Sequence, residues 1–350
     1  MELSSEIYSR LKTAGVLSKN YVDLGQVPTD SYSLNRVISG QYNGGVPIGG
    51  ITQIKGESST GKTLFLTSIL KNSQKLGYHT ILIDSENAFN PKFAKILGLD
   101  DSKLIYAAPE TVEDSFKCME SLIQEIRETD PTTPIVIGYD SLAVSPVKKE
   151  LEVEDERKSK LMDYNVSPTE GAIRAKIIGS CLRKINTILK KHRVALVIIN
   201  QLRSKINIMY GNPNTLAAGG RALEYYVWVD LETYTSKATG TIKGENDQVI
   251  GIRGRVKNTK NKITKPYQEC EFELIYDVGL SPYFGLLEHF VQDGLIKRAG
   301  GWYEYSAITT SPVSVKFRGD EFPKLIASDE RFSELNKLLK AWCFIKSTLI

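Results

Sequence analysis

The stretch Gly56-Glu57-Ser58-Ser59-Thr60-Gly61-Lys62-Thr63 (GESSTGKT) decides the fold. It fits the phosphate-binding pattern G-x-x-x-x-G-K-[ST] at every fixed position. Residues 51–54 (ITQI) before it read as strand, and residues 64–70 (LFLTSIL) after it read as helix, which is the context this motif requires. Gly56 and Gly61 let the backbone curl so that successive N–H groups point at phosphate oxygens, and the helix opening near Lys62 adds the positive end of its dipole. Lys62 brings a point charge to the outer phosphates, and the Thr63 hydroxyl is a Mg²⁺ ligand. With Leu64, the loop forms the expected nucleoside triphosphate site. A chance glycine-rich turn would not carry both flanks.

Working outward, apolar strands alternate with helical stretches. Strands are expected at 51–56, 79–84, 103–107, 134–140 and 194–200, with helices at 62–75, 91–97, 112–128 and 170–191 between them. That alternation implies an α/β fold with a mostly parallel sheet covered on both faces. Residues 226–234, 248–263 and 268–280 extend the sheet to an edge. Before the core, residues 1–27 read as a short amphipathic helix followed by a Gly- and Pro-rich segment over 28–48. After Ser281 the pattern changes to short helices and glycine turns, closing with an amphipathic helix at 331–346. The expected division is an N-terminal oligomerisation segment at 1–30, a nucleotide-hydrolysing core at 31–280 and a small C-terminal α+β domain at 281–350.

Composition excludes several classes. Hydrophobic content of 41% and charged content of 25% are those of a soluble globular protein. A net charge of +4 is too small to mark a nucleic-acid binder by itself, so the placement of charge matters more. Cys118, Cys181, Cys270 and Cys343 are far apart, so neither a zinc site nor a disulfide framework is expected, and reduced thiols in the cytoplasm are the reading. His79, His192 and His289 do not cluster with acids and read as structural. No run of about 18 apolar residues spans a membrane, and the N-terminus lacks a signal peptide's apolar stretch.

Polar residues at strand ends carry the chemistry. Asp140 closes an apolar strand (IVIGYD) and is placed to serve Mg²⁺ beside the phosphate loop. Asp84 and Glu86 close another (ILIDSEN); Glu86 is the candidate general base for the attacking water, while Asp84 reads as a cap to the following turn. Asn200 and Gln201 end a third strand, where a polar pair could sense the γ-phosphate. The stretch that follows, 203–220, is too long for an ordinary connection. Arg203, Lys205 and Arg221 make it basic, and Ile206, Ile208, Met209 and Tyr210 could wedge or stack between bases; a surface loop with no partner is the alternative. The stripe Arg253, Arg255, Lys257, Lys260, Lys262 and Lys265 contains no acid. It reads as a polyphosphate or DNA site, as cations reaching a neighbour's nucleotide, or as a solvated strand face.

Taken together, these blocks resemble the RecA family of recombinases, the bacterial proteins and their phage relatives of the UvsX type. The segments that carry the resemblance are SLNRVISG with VPIGGITQIKGESSTGKT, IDSENAFNPKFAKILGLD, VIINQLRSKINIMYGNPNTLAAGGRALEYY, RVKNTKNKITKP, and YFGLLEHFVQDGLIKRAGGWYEY. They occur in the family's order over roughly residues 30–305. The resemblance implies a RecA-like P-loop core and an ATP-dependent recombinase that forms helical homo-oligomeric filaments on single-stranded DNA, pairs it with homologous duplex DNA and exchanges strands. It assigns water activation to Glu86, Mg²⁺ to Asp140, coupling of ATP to DNA to Gln201, and adenine packing to Phe93. It makes 203–220, with Gly219, Gly220 and Arg221 at its end, the second DNA loop. The first loop falls near 160–172, with Lys176 and Arg183 on the helix behind it. Lys260 and Lys262 match lysines that enter the adjacent subunit's ATP site, and Tyr225 matches an interface aromatic.

A loading mediator and a single-strand binding protein are further partners that the resemblance admits, and no membrane is involved. Departures are the first DNA loop (DYNVSPTEG), the weak match after about residue 305, and an end (CFIKSTLI) without the family's acidic tail, which predicts looser control of duplex access. That divergence suggests a phage-encoded member acting in the host cytoplasm. The rivals are a ring-forming hexameric helicase on the same core and a regulatory ATP-binding adaptor that does not act on DNA.

Overall fold

The computed structural model describes residues 24–151, 168–203, 216–217, 220–235, 240–306 and 314–341. The expected first helix, residues 160–167 of the expected first DNA loop and most of the 203–220 segment lie outside them. Two short strands, β1 (Gln26–Val27) and β2 (Val46–Pro47), pair antiparallel around helix α1 (Tyr32–Ser39). The core follows as β3 (Ile51–Gly56), α2 (Lys62–Lys75), β4 (His79–Asp84), α3 (Pro91–Ile96), β5 (Leu104–Ala107), α4 (Val112–Thr129) and β6 (Ile135–Asp140). It continues through α5 (Pro168–Lys191), β7 (Val194–Arg203), β8 (Leu216–Ala217), α6 (Gly220–Tyr226) and β9 (Val227–Thr235). It closes with β10 (Thr241–Lys243), β11 (Val249–Asn261), β12 (Glu269–Ile275) and β13 (Gly279–Leu280).

These strands form an 11-stranded sheet in the order β13-β12-β11-β9-β3-β7-β6-β4-β5, with β10 on β11 and β8 on β7. The half from β9 to β5 is parallel, and the half from β11 to β13 is antiparallel. Continuous apolar runs become two faces because successive side chains alternate. Along β7, Ala195, Val197 and Ile199 join one core with Phe65, Leu66 and Ile69 of α2. Val194, Leu196 and Ile198 join the other with Phe116 and Ile123 of α4 and Ile178, Leu182 and Ile185 of α5. In β11 and β12 the face carrying Ile252, Val256, Phe272 and Leu274 packs on the α2 side. Arg253, Arg255 and Glu273 alternate with those residues and face the other way.

Helix α1, hidden from sequence reading in a Gly- and Pro-rich segment, is capped by Ser31, whose hydroxyl accepts from Leu34 N, and stopped by Gly40 at φ 78°. Its C-terminal carbonyls are gripped by β11. Asn258, fully buried, donates to Val37 O at 2.7 Å and accepts from Gln268 N at 3.2 Å. Asn261 donates to Ile38 O at 2.8 Å.

The end of the described chain builds a third core from α7 (Leu286–Gln292), β14 (Lys297–Ala299), β15 (Trp302–Ser306), β16 (Ser314–Phe317), α8 (Phe322–Ser328) and α9 (Ser333–Ala341). Its strands form a separate antiparallel sheet. Phe290, Phe317, Phe322 and Phe332 fill its centre, and Tyr42 enters from the front segment. Tyr42 and Arg36 both bind Asp293, at 2.6 and 2.5 Å.

Removing the Asn258 side chain leaves the buried Val37 carbonyl with only the 3.4 Å contact from Asn261 and takes the partner of the half-buried Gln268 N–H. Asn258→Ala is expected to cost about 2 kcal/mol and to lower the melting temperature; an unchanged melt would show that both groups find other partners.

Candidate functional site

The ends of the parallel strands meet at one edge of the sheet. Gly56 at the end of β3 lies level with Gln201 of β7 on one side and Thr233 of β9 on the other. Asp84 at the end of β4 lies level with Asp140 of β6. Ligands in open α/β sheets bind at this edge. Here it opens into a cleft of about 330 Å³ lined by the phosphate loop, Glu86, Asp140 and Gln201.

The two loop glycines act differently. Gly61 holds φ 84° at the N-cap of α2, where no side chain caps the helix. The first amides of α2 are therefore left without a side-chain partner at the end where an anion is stabilised. Gly56 is needed for closeness rather than for curl: a Cβ there would sit 2.1 Å from Thr233 Oγ1. Thr60 ties the loop down through Thr233 Oγ1 at 2.7 Å and Glu57 O at 3.0 Å. Glu57, Ser58 and Ser59 are exposed, and Ser59 adopts φ 62°.

Lys62 is buried with its ammonium on Glu57 O at 2.5 Å. Burial lowers its pKa, against the attraction of Asp140 and Glu86. The exposed Thr63 donates to Asp140 Oδ2 at 2.8 Å. Burial pushes the Asp140 carboxyl up to about 6; Thr63 opposes this, and Glu86 and Asp84 add to it. Hydroxyl and carboxylate oxygens are hard donors that suit Mg²⁺ when phosphates and water complete the shell. Among the described residues no cluster of His, Cys, Asp and Glu offers an all-protein metal site.

Glu86 sits over the loop with Oε1 holding two donors, Ser141 Oγ at 2.6 Å and Gln201 Nε2 at 3.2 Å. Asp84 does what its turn position suggested. It accepts from Phe89 N at 2.9 Å and Tyr106 OH at 3.1 Å, and takes no part in lining the cleft. Leu64 lines the cleft; Phe93, half-buried on α3, does not. Ile199, Ile252 and Tyr276 line it without having been singled out. Ile252 and Tyr276 come from the antiparallel half of the sheet, more than 180 residues beyond the loop in sequence, and no local pattern marks them.

Lys260 and Lys262 do not line this cleft. Lys260 pairs with Asp230, itself level with Gln53, three residues back along β3 from the phosphate end, or about 10 Å. Its ammonium binds the Glu224 carbonyl of α6, next to Tyr225, whose side chain is 73% exposed. Lys262 is exposed and its amide donates to Trp228 O at 2.9 Å. The basic stripe is partly neutralised where Arg253 meets Glu273 at 2.7 Å.

Of the expected DNA contacts, Lys176 and Arg183 are exposed on α5, and Arg183 reaches Tyr226 OH at 3.5 Å. Backbone alone places Arg203 at the end of β7 and Gly220 and Arg221 at the start of α6. Lys205, Ile206, Tyr210 and Gly219 lie outside the described residues. No described helix is long and apolar enough to cross a membrane.

A family model described as RecA N-terminal domain matches residues 10–281. Protein RecA of Thermus aquaticus is 35% identical over 291 residues, 83% of this chain and 78% of that protein. Protein RecA of Clostridioides difficile is 36% identical over 263 residues, 75% of this chain and 69% of that protein. Protein RecA of Saccharopolyspora erythraea is 33% identical over 279 residues, 80% and 73% of the two chains.

The raised Asp140 pKa gives a signed pH effect. The folded carboxyl keeps its proton up to about 6, whereas an unfolded one releases it near 4. Its stabilising contribution is complete below pH 4 and is lost as pH rises through 6. Asp140→Asn is therefore expected to melt higher than the parent at pH 8 without nucleotide, by on the order of 2–3 kcal/mol. The gap should close by pH 4; a gap independent of pH would assign the effect to packing.

Proposed function

The chain belongs to the RecA family, and we propose from that premise that it is an ATP-dependent DNA recombinase and DNA-dependent ATPase, with its turnover in this cleft. The observation that carries the reading is the meeting of Glu86 and Gln201 at 3.2 Å over the phosphate loop. β7 then runs past Gln201 straight into the 203–220 segment. In this reading a hydrolytic carboxylate beyond the end of β4 meets a γ-phosphate sensor at the root of a DNA loop on β7, at one edge of the sheet.

In this reading the phosphates of ATP rest on the amides of residues 56–63 and on the start of α2, with Lys62 at the outer oxygens and Phe93 close to the adenine. Thr63 and Asp140 would hold Mg²⁺, which supplies charge neutralisation on the phosphate oxygens when bound. Glu86 takes a proton from the attacking water as its oxygen bonds to the γ-phosphorus, and ADP leaves. Gln201 exchanges its contact with Glu86 for one with the γ-phosphate and so reports nucleotide to 203–220. Lys260 is level with a point about 10 Å back along β3 from its own phosphate end and two strands across from it; Lys260 and Lys262 serve the nucleotide of the neighbouring protomer, with Tyr225 in the same interface. Filament assembly thus completes each site in trans.

Single-stranded DNA is held through Arg203, Lys205, Ile206, Tyr210, Gly219, Gly220 and Arg221, with Lys176 and Arg183 behind the first loop. The contacts are mainly to the backbone, hence salt-sensitive and tolerant of sequence. A homologous duplex is the second DNA partner, and a loading mediator and a single-strand binding protein are accessory ones. We place the activity in the cytoplasm, that of the host if a phage encodes the chain.

The test is exchange between a single strand and a labelled homologous duplex with ATP and Mg²⁺, beside a heterologous duplex. Parent protein should exchange only the homologous pair, and Lys62→Ala should exchange neither. Glu86→Gln should bind ATP and DNA but turn over about 10²–10⁴-fold more slowly. Exchange by Lys62→Ala at the parental rate would overturn the mechanism.

A further inference from the structure

Behind Glu86 lies a file of hydroxyls, buried except for the half-buried Ser85, that neither phosphate binding nor the sheet requires. Tyr139 OH meets Ser145 Oγ at 2.7 Å, Ser145 Oγ meets Ser85 Oγ at 2.6 Å, and Ser85 Oγ reaches Ser141 O at 3.2 Å. Tyr139, Ser141 and Ser145 have no exposed surface. The protons can all run one way: Tyr139 to Ser145, Ser145 to Ser85, Ser85 to the Ser141 carbonyl. Ser141 then spends its own hydroxyl on Glu86 Oε1 at 2.6 Å. Alongside, Ser85 N and Glu86 N donate to Asp140 O at 2.9 and 3.4 Å. Two turns far apart in sequence, 84–86 and 140–145, are laced into one unit whose free end is the Glu86 carboxylate.

A buried hydroxyl contributes little over an apolar side chain of the same shape, and it costs when a partner is lost. Three in series, ending on the backbone of a residue whose own hydroxyl is a fourth, are a poor way to fill space and a good way to fix an orientation. The directed geometry also separates the two carboxylate oxygens. Oε1 takes both donors, and no hydrogen bond to Oε2 occurs among the described residues. We propose that Ser141 is the positioning residue for Glu86, and that the Tyr139–Ser145–Ser85 file behind it sets the position of Ser141. With Oε1 fixed, Oε2 is the oxygen left to receive the proton of the attacking water. When Gln201 moves to the γ-phosphate, Ser141 is the donor that remains. The inference rests on the reading of Glu86 as the base.

The experiment is steady-state ATP hydrolysis with single-stranded DNA for Ser141→Ala, Ser141→Thr, Tyr139→Phe, Glu86→Gln and the double variant Glu86→Gln/Ser141→Ala. Loss of one hydrogen bond to a charged group predicts a fall in kcat of roughly tenfold or more for Ser141→Ala, with KM unchanged. Ser141→Thr, which keeps the hydroxyl, should recover most of it. A residue that acts only through Glu86 adds nothing once Glu86 is gone, so the double variant should be no slower than Glu86→Gln. Equal further loss in the double variant, or parental kcat in Ser141→Ala, overturns the proposal.

Glu86→Gln at parental rate removes the base itself, and is told apart because it fails in the single variant. A readout independent of turnover comes from amide hydrogen exchange without nucleotide. Tyr139→Phe, which removes one oxygen from a packed ring, should speed exchange at Ser85 and Glu86, and unchanged exchange there overturns the role of the file.

Discussion

The last residue of β3 has no room for a side chain, and the site depends on that fact. β3 is hydrogen-bonded to β7 on one side and to β9 on the other, so its end can shift toward neither. Gly56 lies against Thr233, and Thr233 holds Thr60, so the loop leaves the sheet along one path. That path delivers Gly61 to the start of α2 and leaves the amides of the loop unshielded. Phosphate recognition here is thus a property of strand pairing. The charged groups are added to a shape that central pairing has already set.

Four ionisable groups then crowd the same edge: Lys62, Asp84, Glu86 and Asp140. Two of them, Lys62 and Asp140, are arranged against the interest of the fold. Lys62 loses hydration and Asp140 is driven toward its neutral form. Buried charge of this kind is retained at functional sites at a cost in stability. Asp84 shows the contrasting case. Tied to Phe89 N and Tyr106 OH, it spends its oxygens on the turn that carries Glu86. In the proposed reading, acids at neighbouring strand ends serve as metal ligand, base and scaffold according to what donates to them.

Much of this was legible in the sequence where a local rule governs. The phosphate loop follows from fixed spacing, and strands such as 79–84 and 135–140 appear where apolar runs predict them, because burial on both faces leaves no polar interruption. Asp140 and Gln201 were legible as polar ends to such runs. Helix α1 was not, because its sequence is broken by polar residues that turn out to be buried: Ser33, Asn35 and Ser39 are all enclosed. Ile252 and Tyr276 were not, since the antiparallel strands fold back over the loop by tertiary pairing alone. The hydroxyl file was invisible for a similar reason. No local pattern marks the serines at 85, 141 and 145, and only the adjacency of β4 and β6 makes them one structure.

The grip on α1 has a consequence in time. Its carbonyls are held by Asn258 and Asn261, and its Arg36 by Asp293, some 220 to 260 residues further along the chain. A ribosome adding about 5–20 residues each second makes the partners of this helix tens of seconds after the helix itself. Through that interval Leu34, Val37 and Ile38, all bound for the interior, lack their final cover on the nascent chain. Helix α1 is therefore among the last described parts of the molecule to be secured, although it is among the first to be made.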